Sequence, residues 1–165
     1  MPNDVYIIYG KIKTGKSTRL LEQTKNNENA CGILQIVKNE TRRFLKLPEK
    51  IEFEMNADPR EKNDVIALGD FAFSRKAFAK ANAFLHECIK KEPKLLLFDE
   101  YGKLEINGEG LFPAMEEALQ LKTKGELRSE IVFVVRDYLF DELVKTLRRF
   151  NLDYRVISDI TEIAY

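Results

Sequence analysis

Residues 9–22 read YGKIKTGKSTRLLE, and whether they form a phosphate-binding loop or a basic surface turn decides the fold. Gly10, Gly15, Lys16 and Ser17 satisfy the spacing G-x-x-x-x-G-K-[ST]. Glycines let the backbone turn tightly, so that successive N–H groups point inward at phosphate oxygens. A helix that opens directly afterwards adds its positive end and its unpaired N–H groups. In that arrangement Lys16 reaches the β- and γ-phosphates, the Ser17 hydroxyl meets Mg2+, and Thr18 touches the α-phosphate. Lys11, Ile12, Lys13 and Thr14 fill the space between the glycines, and the two lysines there read first as solvated charges. The setting favours the phosphate-binding reading. An apolar, β-branched run, Val5–Tyr9, precedes the match, and a helical pattern carrying Leu20, Leu21 and Thr24 follows it.

The same alternation continues along the chain. Strands are expected at Gly32–Val37, Ile51–Met55 and Val65–Leu68. A helix then begins after Ser74, a good N-cap, with Ala77, Phe78, Ala81, Phe84, Leu85, Cys88 and Ile89 on one face. Pro93 closes it. Leu95–Phe98 and Ile131–Val135 are fully apolar strands. Helices near Phe112–Leu121 and across Leu139–Leu147 follow them in turn, and Tyr154–Ile157 reads as a last strand. Fully apolar strands separated by amphipathic helices imply an α/β domain whose mainly parallel sheet is covered on both faces. Residues 32–73 hold strands without helices between them, which predicts an antiparallel extension of that sheet. The 165 residues suit one domain, without repeat or linker.

A phosphate loop leaves a magnesium ion half-coordinated, and 95-LLLFDEYGKLEING-108 supplies the complement. An acidic residue at the C-terminal end of a buried strand falls in the crevice where open α/β sheets bind ligands. Asp99 is so placed for Mg2+, and Glu100 for taking a proton from an attacking water. Gly102 reads as a turn residue with unusual backbone angles. Lys103 and Glu105 read equally well as site groups or as a surface ion pair.

This pairing of motifs resembles the THEP-type nucleoside triphosphatases, whose second motif reads D-E-I-G-K-M-E where this chain has Asp99-Glu100-Tyr101-Gly102-Lys103-Leu104-Glu105. Phe112 also matches a phenylalanine of that family. The resemblance implies a three-layer P-loop NTPase fold of the additional-strand, RecA-like class, acting on nucleoside triphosphates of broad base identity. It implies that Lys16, Ser17 and Asp99 bind phosphates and metal and that Glu100 activates water. The chain departs from the family at Ile12 and Lys13, where proline and glycine are usual. It departs again at Gly32-Ile33-Leu34-Gln35 and at Ser158-Asp159-Ile160.

Phosphoryl transfer also needs a cation to meet charge building on the transferred group. Arg136, at the end of the third apolar strand, is the internal candidate, with pairing to Asp137 or solvent as the plainer account. Arg42 and Arg43 fall in the antiparallel section.

Lysine plus arginine and aspartate plus glutamate both total 27, and this balance disfavours a general polyanion or nucleic-acid binder. No apolar stretch approaches a membrane span and no signal peptide is evident, so a cytoplasmic protein is expected. Cys31 and Cys88 fit no metal spacing and are expected as free thiols in a reducing compartment. His86, the only histidine, sits in an apolar helical pattern and reads as a packing or surface residue. The sequence thus predicts an Mg2+-dependent nucleoside triphosphatase. A nucleoside or small-molecule kinase on the same core, and a nucleotide-gated binding module with little turnover, are the alternatives. It names no protein partner.

Overall fold

The computed structural model describes residues 5–10 and 16–163, without the side chains of residues 16 and 17. Its strands are β1 (Val5–Gly10), β2 (Ala30–Lys38), β3 (Thr41–Leu47), β4 (Ile51–Glu54), β5 (Val65–Leu68), β6 (Phe71–Ser74), β7 (Leu95–Asp99), β8 (Glu130–Arg136) and β9 (Arg155–Val156). Its α-helices are α1 (Lys16–Thr24), α2 (Arg75–Lys91), α3 (Lys103–Ile106), α4 (Phe112–Thr123) and α5 (Phe140–Arg149).

Seven strands form one sheet in the order β4-β3-β2-β7-β8-β1-β9. From β2 to β9 all neighbours are parallel, whereas β3 and β4 add antiparallel to β2. The parallel core explains the uninterrupted apolar strands: every residue of β7, LLLFD, is buried. One part of the expected extension differs. β5 and β6 do not join the main sheet but pair with each other as a separate hairpin, turned by Gly69 and Asp70.

Two apolar layers flank the sheet. On one face Leu20 of α1 packs with Leu34, Leu95 and Leu97. On the other, Phe78 and Leu85 of α2, Met115 of α4 and Leu147 of α5 cover Ile33, Phe98 and Phe133. This is a three-layer α/β fold. No helix among the described residues is long and apolar enough to cross a membrane.

Ser74 caps α2 as its residue type predicts, accepting from the Ala77 N–H at 3.1 Å while its hydroxyl donates to Asp64 at 2.6 Å. Asp64 also accepts from the Lys76 N–H, so the hairpin is tied to the start of α2. The free-thiol expectation fails. Cys31 on β2 and Cys88 on α2 form a disulfide, their Cα atoms 5.8 Å apart, because the apolar face of α2 lies directly on β2. The bridge joins positions 57 residues apart. Closing so long a loop restricts the unfolded chain, so reduction should lower stability by about 2–4 kcal/mol. Urea unfolding with and without dithiothreitol measures this; an unchanged midpoint would contradict it.

Candidate active site

The strand order sets the site. β1 ends at Gly10 and α1 opens at Lys16, so the glycine-rich residues join the two at the C-terminal edge of the sheet. Lys11, Ile12, Lys13, Thr14 and Gly15 lie outside the described residues, as do the side chains of Lys16 and Ser17. Thr18 is exposed in the first turn of α1. β8 separates β1 from β7, and the register aligns Gly10 with Arg136 and Val134 with Asp99. The phosphate-loop strand and the acidic strand are therefore two spacings apart, roughly 10 Å, with Arg136 between them.

Asp99 is 1% exposed. It follows Leu95 and Leu97 in the strand alternation and so belongs to the sheet face that α1 covers. Its Oδ2 accepts from the Gln35 N–H at 2.9 Å, which fixes the carboxylate against β2. Glu100 leaves the strand at φ 85°, a left-handed conformation that costs a non-glycine residue about 1–3 kcal/mol. Strain of this kind gathers where a side chain must be aimed. The expected unusual backbone falls on Glu100 and not on Gly102, whose φ is −116°. The following residue holds the strained one in place. The Tyr101 N–H donates to Val134 O at 2.8 Å, and the buried Tyr101 hydroxyl bonds Thr146 Oγ1 on α5 at 2.7 Å.

Arg136 Nε stands 3.4 Å from Glu100 Oε1, with the two side chains 26% and 24% exposed. Its carboxylate partner is thus Glu100, whereas Asp137 accepts from the Tyr138 N–H. A pair this accessible contributes little stability.

Glu105 is no surface carboxylate. It is 4% exposed, while Lys103 is exposed beside it. Its Oε1 accepts from the Gly102 N–H and its Oε2 from the Leu111 N–H, both at 2.8 Å, so one side chain clasps both ends of the α3 segment. Gly110 makes room for the clasp: its φ is 62°, and a Cβ there would lie 1.8 Å from Glu105 Oε2. Asn82 of α2 completes it, donating to Gly110 O at 2.8 Å and accepting from the Ala114 N–H at the start of α4. The clasp gathers Asn82, Gly102, Glu105, Gly110, Leu111 and Ala114 from three separate stretches of the sequence.

Burial pushes the Glu105 carboxyl up to about 7, against the Leu111 and Gly102 N–H donors, and the nearby Glu100 charge adds to the rise. Between the ordinary value near 4.5 and 7, the folded chain holds a proton that the unfolded chain has released. Stability from this group is therefore complete below 4.5 and is lost as pH rises through 7. Glu105→Gln leaves one of the two N–H donors without an acceptor, at a cost of about 1–3 kcal/mol. The stability gap between the unmodified chain and the variant should narrow from pH 5 to pH 8 in denaturant titrations; a constant gap would contradict this origin.

A cleft opens beside Glu100 and Arg136, walled by Gln35, Arg42 and the hairpin residues Phe71 and Phe73. Its architecture can be matched to a known one. A crystal structure of THEP1 from the hyperthermophile Aquifex aeolicus aligns with a TM-score of 0.67, covering 93% of this chain and 88% of that chain. The chain has the THEP1 fold. Sequence identity to THEP1 is 19%, so the likeness is one of architecture. The model of a family described as a protein of unknown function (DUF2478) matches residues 72–124, from β6 through α4. No curated protein matches the sequence significantly. The matched segment carries the Asp99–Glu105 motif and the Asn82 clasp, and it contributes Phe73, Glu100 and Glu105 to the cleft wall.

The donor types suit magnesium. Among the described residues no three His, Cys, Asp or Glu side chains cluster as a metal cage. Mg2+ does not need one, since it is commonly held by one or two carboxylates, waters and substrate phosphates. Asp99, at the end of β7, is a hard oxygen donor of that kind.

Proposed function

We propose that the chain is a nucleoside triphosphatase that cleaves the β–γ phosphoanhydride in the presence of Mg2+. The observation that supports it best is the carboxylate pair at the end of β7. Asp99 turns to the α1 face, and Glu100 is held in strained backbone, braced by Arg136. In this reading Gly10 to Thr18 cradle the triphosphate, with Lys16 at the β- and γ-phosphates. Ser17 and Asp99 hold Mg2+, which when bound neutralises charge on the phosphate oxygens. Glu100 accepts a proton from water as the water oxygen bonds to the γ-phosphorus. The bond to the bridging oxygen breaks, and the nucleoside diphosphate leaves. Arg136, paired with Glu100, aims that carboxylate at the water.

A kinase on the same core is the second reading, favoured by the cleft that Glu100 lines beside the sheet edge. Incubating the purified chain with Mg2+ and each nucleoside triphosphate, with and without hydroxylated acceptors, separates the two. Phosphate release without acceptor, abolished by a chelator, is the expected result. Turnover only with an acceptor would overturn hydrolysis in favour of transfer, and no turnover at all would overturn both.

A further inference from the structure

Arg136 is committed to Glu100, yet the transferred phosphoryl group needs a cation of its own. Arg42 lines the same cleft. The two arginines of β3 have different surroundings. Strand alternation sends Arg43 to the other face, where it pairs with Glu52 at 3.2 Å. Arg42 shares its face with the buried Phe44, and its guanidinium carbon lies 4.7 Å from the centroid of the Phe71 ring. Among the described residues no carboxylate pairs with Arg42. An aromatic face attracts a guanidinium without neutralising it, so the charge stays available to an anion.

The support beneath Arg42 is rigid while its side chain is long. Its carbonyl accepts from the Met55 N–H at 3.0 Å within the sheet. Phe71 stacks on Phe73, their centroids 5.4 Å apart, and Phe73 bridges to Asn56. The hairpin is in turn fastened to α2 through Asp64 and Ser74. Guanidinium groups meet phosphate oxygens through two parallel N–H donors, a geometry that lysine cannot reproduce. Lys103, the other unpaired cation on the cleft wall among the described residues, is exposed and has only a flexible ammonium to offer.

We infer that Arg42, resting on Phe71 in the cleft that Glu100 also lines, is the catalytic cation that meets the terminal phosphate of a bound triphosphate. The inference rests on the triphosphatase reading above. Phe71 is then a positioning residue, which keeps the guanidinium extended over the cleft instead of folded into solvent.

The test compares kcat and KM for magnesium–ATP in the unmodified chain, Arg42→Ala, Arg42→Lys and the control Arg43→Ala. Arg42→Ala should lower kcat about 10²–10³-fold, as loss of a single transition-state donor does, with KM changed less than threefold. Guanidinium chloride at non-denaturing concentration should restore that variant at least tenfold. Arg42→Lys should recover only part of the rate, and Arg43→Ala should stay within about twofold of the unmodified chain. A rate for Arg42→Ala within threefold of the unmodified chain overturns the inference, as does a loss that guanidinium cannot restore. If Arg42→Ala is fully active while Glu100→Gln is inactive, the inference alone falls; if the unmodified chain releases no phosphate, the hydrolase reading falls with it.

Discussion

Glu100→Gln should retain magnesium–nucleotide binding and lose about 10²–10⁴-fold in kcat, the usual contribution of a positioned general base. Glutamine keeps the shape of the side chain and an oxygen for the Arg136 N–H, now 3.4 Å from Glu100 Oε1. What it loses is the capacity to take a proton from water. The strained backbone at φ 85° is unchanged by the substitution, so neither folding nor nucleotide affinity should suffer. Phosphate release at saturating nucleotide, beside the binding of a fluorescent nucleotide analogue, separates rate from affinity. Full activity would remove Glu100 from its role. A fall in affinity equal to the fall in rate would show instead that it serves binding.

Asp99→Asn should lower the rate by roughly 10²-fold and raise the magnesium concentration needed for half-maximal turnover. The buried environment makes the outcome directional. The Gln35 N–H donates to Asp99 Oδ2 at 2.9 Å, so an asparagine must turn its carbonyl oxygen to that donor. Its NH2 group then occupies the position of the other carboxylate oxygen and presents hydrogens toward the metal. The same bond to Gln35 preserves the strand end, and unfolding midpoints should change little. A magnesium titration of the rate reads the effect directly. An unchanged magnesium requirement would exclude Asp99 as a metal ligand.

These candidate residues stand out in the sequence because their chemistry is local. Gly10, Gly15, Lys16 and Ser17 hold fixed spacings within eight positions, and Asp99 and Glu100 end a run of apolar residues that only a doubly covered strand can use. The helix face of α2 was legible for a similar reason, down to its Ser74 cap. What remained hidden depends on long-range packing. β3, TRRFLKL, is dense in charge and resembles a loop, but its alternation fits a strand next to the sheet edge, with Phe44 and Leu45 buried on opposite faces. The hairpin β5–β6 reads as two short apolar runs, and nothing local says that they pair with each other and not with the main sheet. Cys31 and Cys88 meet only because α2 lies on β2.

The clasp around the acidic motif shows the same limit more sharply. Glu105 gathers donors from Gly102 and Leu111, and Asn82 reaches Gly110 across 28 positions. Each residue type is common on protein surfaces, and only the turn of the chain after β7 buries them. Arg42 is a further case. Its sequence neighbour Arg43 looks equivalent, and only the side of β3 on which each lies distinguishes a cleft cation from an edge ion pair.

The central claim is that the glycine-rich residues and the β7 carboxylates converge on one magnesium-bound triphosphate. A crystal structure with magnesium and a non-hydrolysable triphosphate tests it most directly. The account predicts the metal held by Ser17 Oγ and by Asp99, directly or through one water, with the γ-phosphate between Lys16 and Glu100. A nucleotide bound away from Glu100, or a metal beyond the reach of Asp99 even through water, would contradict it.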